Sequence, residues 1–239
     1  MKTRTWVILG ATSIIAEQFA HLAAQAGQSL LLVARDDEQL AIIANDMKLR
    51  YQVPCELISL NMAGTIDKLL AIFDQRVGEL DLLIAHSDFT GNNRLDAKTI
   101  TRLIKINILA TVQLIHGYLN LKQTQHHLIY LSSVAACRGR ARNSLYGGSK
   151  AAIEIYLQGL QQAAASTQHI MIARLGFIDT RQTFGLSGIF YAASPEACAA
   201  ACWKAMKRKK RMLYFPAFWR GIVVIITRLP FFIYKRSGI

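Results

Sequence analysis

Short apolar runs alternate with longer stretches of helical periodicity through most of the chain, and this alternation constrains the fold more than any other feature. Trp6–Leu9, Leu30–Ala34, Cys55–Leu60, Leu82–Ala85, Leu128–Leu131 and Ile170–Leu175 read as buried strands. Between them, Ile15–Ala26, Asp37–Leu49, Thr65–Val77, Asp96–Asn120 and Tyr146–Ala165 carry periodic apolar residues over helical lengths. Strands that are apolar almost throughout must be covered on both faces. The expected fold is therefore α/β and doubly wound, a parallel sheet with helices on both sides. A chain of 239 residues with 52% hydrophobic content supports one large core. The first shift in composition comes near Lys204, which predicts a domain over 1–205 and a basic, hydrophobic tail over 206–239.

The four cysteines (Cys55, Cys137, Cys198, Cys202) and the lack of a secretory apolar segment after Met1-Lys2-Thr3-Arg4 point to a reducing, cytoplasmic setting. Cys198 and Cys202 share a helix face, but no histidine or acid stands at ligand spacing, so no metal site is expected. The formal charge of +13 calls for an anionic partner: nucleic acid, phospholipid or a phosphorylated small molecule.

The stretch GATSIIAEQFA, Gly10 to Ala20, follows the first strand and opens the first helix. A Rossmann fold sets a pyrophosphate against a helix N-terminus at this place. Gly10 is the turn residue, Thr12 and Ser13 offer hydroxyls and backbone N–H groups, and Ile14 and Ile15 begin the helix. Ile14 and Ala16 stand where glycine is usual, so Ile14 demands an ordinary backbone φ. An ordinary strand-to-helix turn would also explain this loop.

A second stretch, YLSSVAACRGRARNSLYGGSK, carries Tyr146 and Lys150 one helical turn apart and Ser133 13 residues before the tyrosine. Here the sequence resembles the short-chain dehydrogenase/reductase family, whose signature is Tyr-x-x-x-Lys with an upstream serine and a glycine-bearing first turn. The resemblance covers about Thr5 to Ala205. Asn107 in IKINILATVQL matches the family's helix asparagine, and RLGFIDT resembles its Pro-Gly-x-x-x-Thr segment with leucine in place of proline. The resemblance implies a catalytic set of Asn107, Ser133, Tyr146 and Lys150. Tyr146 would exchange a proton with the substrate oxygen while a nicotinamide exchanges a hydride. Free tyrosine has a pKa of about 10, and the Lys150 charge at i+4 favours the tyrosinate. By the same resemblance Lys150 holds the nicotinamide ribose, Ser133 orients the substrate oxygen, and Asn107 supports a water linking Lys150 to solvent.

Cofactor choice is read after the second strand, where Ala34 replaces the acid that would accept from a free ribose and Arg35 could pair with a 2′-phosphate. Asp36 could instead neutralise that arginine. NADP is favoured over NAD. Asn61 and Met62 would border the adenine, and Ile178 and Thr180 fall in the segment resembling the family's Pro-Gly-x-x-x-Thr. The loop after the fourth strand reads Ala85-His86-Ser87-Asp88 where the family has Asn-Asn-Ala-Gly, so His86 either contacts cofactor or braces the loop.

Beyond the family pattern, Lys207 to Arg211 form a cation block, followed by Phe215, Phe218, Trp219, Ile222 to Ile226, Phe231, Phe232 and Ile233. A spanning helix needs about 20 apolar residues and a central arginine costs roughly 2.5 kcal/mol or more, so Arg220 and Arg228 argue against a span. The tail would lie on an anionic membrane surface, at the inner face, or pack on its own domain or a subunit partner. No nucleic-acid motif accompanies the charge. The expected function is an NADP-dependent oxidoreductase interconverting a ketone and a secondary alcohol, on a small, phosphorylated or lipid-linked substrate, working as a homo-oligomer. Arg138, Arg140 and Arg142 would rim the mouth and pair with a substrate phosphate. A looser similarity, in the Ala-Thr-Ser turn, the Ala-His loop and the basic end, is to the ketoreductase branch that serves decaprenylphosphoryl-ribose epimerisation. The alternative is a non-catalytic nucleotide-binding or membrane-docking scaffold.

Overall fold

A computed structural model describes residues 4–236, apart from 65, 77, 182 and 184–189. The strands are β1 (Arg4–Leu9), β2 (Ser29–Ala34), β3 (Cys55–Ser59), β4 (Glu79–Ile84), β5 (His126–Ser133), β6 (Gln168–Leu175) and β7 (Met212–Phe215). They form one parallel sheet in the order β3-β2-β1-β4-β5-β6-β7. The helices are α1 (Ile14–Gln25), α2 (Asp37–Tyr51), α3 (Asp67–Gln75), α4 (Ala97–Ile104), α5 (Thr111–Leu119), α6 (Ser144–Ala163), α7 (Pro195–Lys207), α8 (Trp219–Arg228) and α9 (Phe231–Arg236).

Side-chain alternation divides the core between the two faces. Trp6 and Ile8 point to the layer of α1, α2 and α7, where Trp6, Phe19 and Trp203 pack edge to face or tilted. Val7 and Leu9 point to the layer of α3, α5 and α6. The order of the strands reverses between β1 and β4, which opens a crevice beyond their carboxyl ends. This crevice is where the chemistry gathers.

Three expectations change in the structure. The helical pattern over Asp96–Asn120 is one rod, but its middle, Lys105–Ala110, is a π-helical turn. The Asn107 amide reaches out to the chain after β4, and Thr111 Oγ1 donates to the carbonyl of Ile106, five residues back. The strand β3 is an edge, so Glu56 and Ser59 are exposed and it is not buried on both faces. Residues 206–239 also supply β7, which pairs with β6 from Ile172↔Met212 to Leu175↔Phe215, so the sheet runs past the boundary drawn at 205/206. The described part of the helix expected over Thr65–Val77 is α3, and both of those end residues lie outside the described residues.

Candidate active site

Gly10 turns the chain from β1 into α1 at a φ of +79°, and a Cβ there would meet the backbone N of His86 at 2.7 Å. Only glycine lets the first turn lie this close to the loop after β4. Ser13 N–H donates to Gly10 O at 2.9 Å, closing the turn, and Ser13 occupies the N-cap of α1 without using its side chain as a cap. The first N–H groups of α1 therefore point into the crevice without a side-chain acceptor. Ile14 meets the requirement for an ordinary φ by being the first helical residue, with its side chain outward, while Ala16 is fully buried against the sheet.

Across the crevice, Ser133 ends β5 and its Oγ accepts from Ala135 N–H at 3.1 Å. Gly147, in the first turn of α6, lies so close to the Ala135 carbonyl that a Cβ would stand 2.6 Å from it. That approach sets Tyr146 on the same wall as Ser133. The Tyr146 ring packs edge-on against Phe89 with centroids 4.9 Å apart. Lys150 follows one turn later and is 3% exposed. Its Nζ donates to Leu131 O at 2.9 Å and lies 6.0 Å from the Tyr146 ring centroid. Burial pushes the Lys150 pKa down to about 7, and Glu154, one turn further on, pulls the other way.

Asn107 does not line the crevice. Its Nδ2 donates to Asp88 O at 2.9 Å and Ser149 Oγ at 3.0 Å, its Oδ1 accepts from Asp88 N–H at 2.7 Å, and Ser149 Oγ donates to Tyr146 O at 2.8 Å. The asparagine thus ties the loop after β4 to the backbone of Tyr146. A second buried network joins the same wall: Ser132 Oγ donates to Glu154, which also accepts from Arg174 Nε and Nη2.

The cleft, of about 1530 Å³, brings together Thr12, Ser13, Ile14, Ile15, Ala85, Ser133, Tyr146, Lys150, Ile178 and Thr180. Its size exceeds that of an ordinary small-ligand pocket. Arg35 lies outside that lining, exposed just past β2, and makes no ion pair among the described residues. Asp36 does not neutralise it, because its carboxylate caps α2 by accepting from Gln39 N–H at 3.0 Å. Asn61 is exposed and accepts from Ala63 N–H through its own side chain.

Three of the expected positions have a definite setting in the structure. Met62, expected beside the adenine, is buried in the core with Val7 and Leu9. The His86 imidazole faces inward to Thr111 Oγ1 at 3.0 Å, and burial with the nearby Lys150 charge pushes its pKa down to about 3. It braces the loop as a neutral ring. Arg138 does not rim the mouth: its guanidinium donates to the carbonyls of Ile226 and Leu229 and lies 3.9 Å from the Tyr234 ring centroid. The unmatched carbonyls that end α8 form the negative end of the helix and accept from such a cation.

Arg140 and Arg142 line the cleft as expected, and the residues missed in the sequence are Phe89 and the α8 stripe of Trp219, Ile222 and Ile226, all of which also line it. The signal for that stripe was present as i, i+3, i+7 spacing. Gly176 makes room for it, since a Cβ there would collide with the Trp219 indole.

A doubly wound parallel sheet, an open helix N-terminus at its switch point and a serine, tyrosine and lysine on the facing wall define an oxidoreductase of the short-chain type. The chain belongs to the short chain dehydrogenase family, whose model matches residues 4–186. It is 28% identical over 238 residues to an uncharacterized oxidoreductase of Mycobacterium tuberculosis, covering 96% of this chain and 95% of that one. An uncharacterized oxidoreductase of Staphylococcus epidermidis is 27% identical over 193 residues, 77% of this chain and 82% of that protein. Among solved structures, a short-chain dehydrogenase from Sphingobium yanoikuyae in complex with NADPH superposes with a TM-score of 0.83 at 19% identity, covering 95% and 96% of the two chains.

Proposed function

We propose that the protein is an NADP-dependent oxidoreductase that interconverts a ketone and a secondary alcohol. The observation that carries this reading is the placement of Ser133, Tyr146 and Lys150 in one cleft with the N-terminus of α1. The residues present fit the cofactor. The tight turn at Gly10 and the uncapped start of α1 suit a diphosphate. Ala34 offers no acid to a free ribose, and Arg35 stands exposed, without an ion pair among the described residues, where a 2′-phosphate would come. The NADPH-bound Sphingobium structure shares the fold on which this fit rests.

When bound, NADPH supplies the hydride. Ser133 Oγ already accepts from Ala135 N–H, which leaves its own O–H to donate to the substrate oxygen. Tyr146 gives that oxygen its proton. Lys150, fixed on Leu131 O, is the cation placed to favour release of the phenolic proton. Asn107 holds Ser149 and the loop after β4 so that the Tyr146 backbone cannot drift.

The sheet, closed by β7, carries this chemistry, and α8 and α9 carry its cover. Among the described residues no helix is long and apolar enough to cross a membrane. α8 and α9 nonetheless expose Phe218, Ile225, Phe231, Phe232 and Ile233 beside Arg220, Arg228, Lys235 and Arg236. This combination supports a peripheral seat on an anionic, cytoplasmic membrane face, from which a lipid-linked substrate would be drawn. Exposed Ile100, Ile104, Leu109 and Ile155 support association with a second copy.

Oxidation of NADPH and of NADH over a panel of ketones tests the reading. Turnover with NADPH is expected, and Arg35→Ala should raise KM for NADPH about tenfold or more while moving KM for NADH much less. No turnover on any ketone, with cofactor bound, would favour the scaffold alternative.

A further inference from the structure

Three arginines stand on the loop between Ser133 and Tyr146, and the structure gives them different employments. Arg138 is spent on the end of α8. Arg142 is exposed. Arg140 is partly buried where this loop meets α8, and it lines both the cleft and the crevice beneath Trp219 and Tyr234. Among the described residues its guanidinium meets no carboxylate within ion-pair distance and no hydrogen-bond acceptor.

A guanidinium partly withdrawn from water without a counter-charge is costly: burial, together with the nearby Arg142 charge, drives its pKa down, against opposing contributions from Cys137, Tyr234 and Tyr146. The acids that line the cleft, Glu17, Asp179 and Glu196, belong to α1, the segment after β6 and α7, and none pairs with it. Beside the arginine the surface is apolar: Trp219, Ile222 and Ile226 present one stripe of α8 to the cleft, and Trp219 and Ile226 share with Arg140 the crevice beneath it. The space beside Tyr146 therefore has one cationic corner and one greasy side.

Resting on the reading of this cleft as an oxidoreductase site, we propose that Arg140 receives the anionic group, carboxylate or phosphate, of an otherwise apolar ketone or alcohol. The guanidinium would take the two oxygens of that group in a forked pair, and the chain would lie along Trp219, Ile222 and Ile226. Arg140 is then the residue that selects the substrate class, and the α8 stripe sets the apolar body it prefers.

Titration calorimetry at saturating NADP reads the site without turnover, using decanoate, decyl phosphate and the neutral decan-2-one as probes. Wild-type protein should bind an anionic probe at least about tenfold more tightly than the ketone. Decanoate ahead of decyl phosphate names carboxylate as the recognised group, and the reverse order names phosphate. Arg140→Gln should bring the anion-to-ketone ratio close to one, and Arg140→Lys should restore part of it. An unchanged ratio in R140Q, or equal binding of all three probes by wild-type protein, overturns the proposal. Tyr146→Phe separates this result from the chemistry: anion binding that persists in Y146F while its turnover is lost upholds both Arg140 and the oxidoreductase reading, whereas anion binding by a wild-type protein that turns over no ketone upholds Arg140 and counts against the oxidoreductase reading.

Discussion

The wall of the cleft built by β5 and α6 is backed from within: Asn107, Ser149 and Lys150 are 2%, 2% and 3% exposed and are joined by hydrogen bonds to Asp88, Tyr146 and Leu131. On the wall built by α8, the side chains facing the cleft are apolar, and the opposite side of the helix leaves Ile225 64% exposed. One wall is fixed by polar partners inside the core. The other is laid over the domain and held by Trp219 in the notch at Gly176 and by Arg138 at its end. The difference teaches where each kind of function can reside: proton transfer needs groups held to a fraction of an ångström, whereas an apolar cover needs only area and an anchor.

The largest effect should come from the fixed wall. Tyr146→Phe keeps the ring on Phe89 but removes the phenolic proton, so turnover should fall by about a hundredfold to ten-thousandfold while NADPH affinity, read by fluorescence titration, stays within about twofold. Activity near wild type would break the assignment of that wall.

The cover is tested next, on its outer side. Phe231 and Phe232 are 72% and 67% exposed, so replacing both with serine should leave the thermal midpoint unchanged. Partition onto vesicles containing anionic lipid should nevertheless fall about tenfold or more in sedimentation assays. Point changes are the right instrument here, because truncation after Lys210 would remove β7 from the sheet. Binding indifferent to both the substitution and the lipid charge would make the exposed face a protein contact instead.

The fixed wall should also show the cost of its own chemistry. Lys150 has a folded pKa of about 7 against an ordinary value of 10.5, so between these pH values the unfolded chain holds the proton that the folded chain has lost. Stability from this group therefore rises as pH increases from 7 to 10.5. Lys150→Met should be inactive yet more stable than wild type by about 1–2 kcal/mol at pH 7 in urea unfolding, after allowing for the unpaired Leu131 carbonyl, and the gain should shrink towards pH 10.5. A gain that does not depend on pH would mean that the ammonium is not desolvated as described.

The smallest effect expected is at the anchor. Arg138→Met removes the contacts to the Ile226 and Leu229 carbonyls and to Tyr234, which should loosen α8 and α9 by about 1–2 kcal/mol. Hydrogen exchange should then speed up about tenfold in 219–236 and not in α6. Equal acceleration in both helices would dissolve the distinction between the walls.

The alternation of apolar runs with helical stretches determined the doubly wound sheet, because a strand buried on both faces has no other way to be covered. The order and spacing of Ser133, Tyr146 and Lys150 were legible for a similar reason: a four-residue interval on a helix fixes which side chains share a face before any packing is known. Strand β7 was not legible, since Met212–Phe215 is short and follows a block of cations. The inward turn of His86, the burial of Met62 and the loss of Arg138 to the end of α8 were not legible either. Each depends on a partner far away in the chain: Thr111 for the histidine, Val7 and Leu9 for the methionine, Ile226 and Leu229 for the arginine. Local spacing specifies the elements and the faces they present. Which polar group finds which unmatched carbonyl, and which of the three arginines is drawn away from the cleft, is decided only when the sheet has brought those faces together.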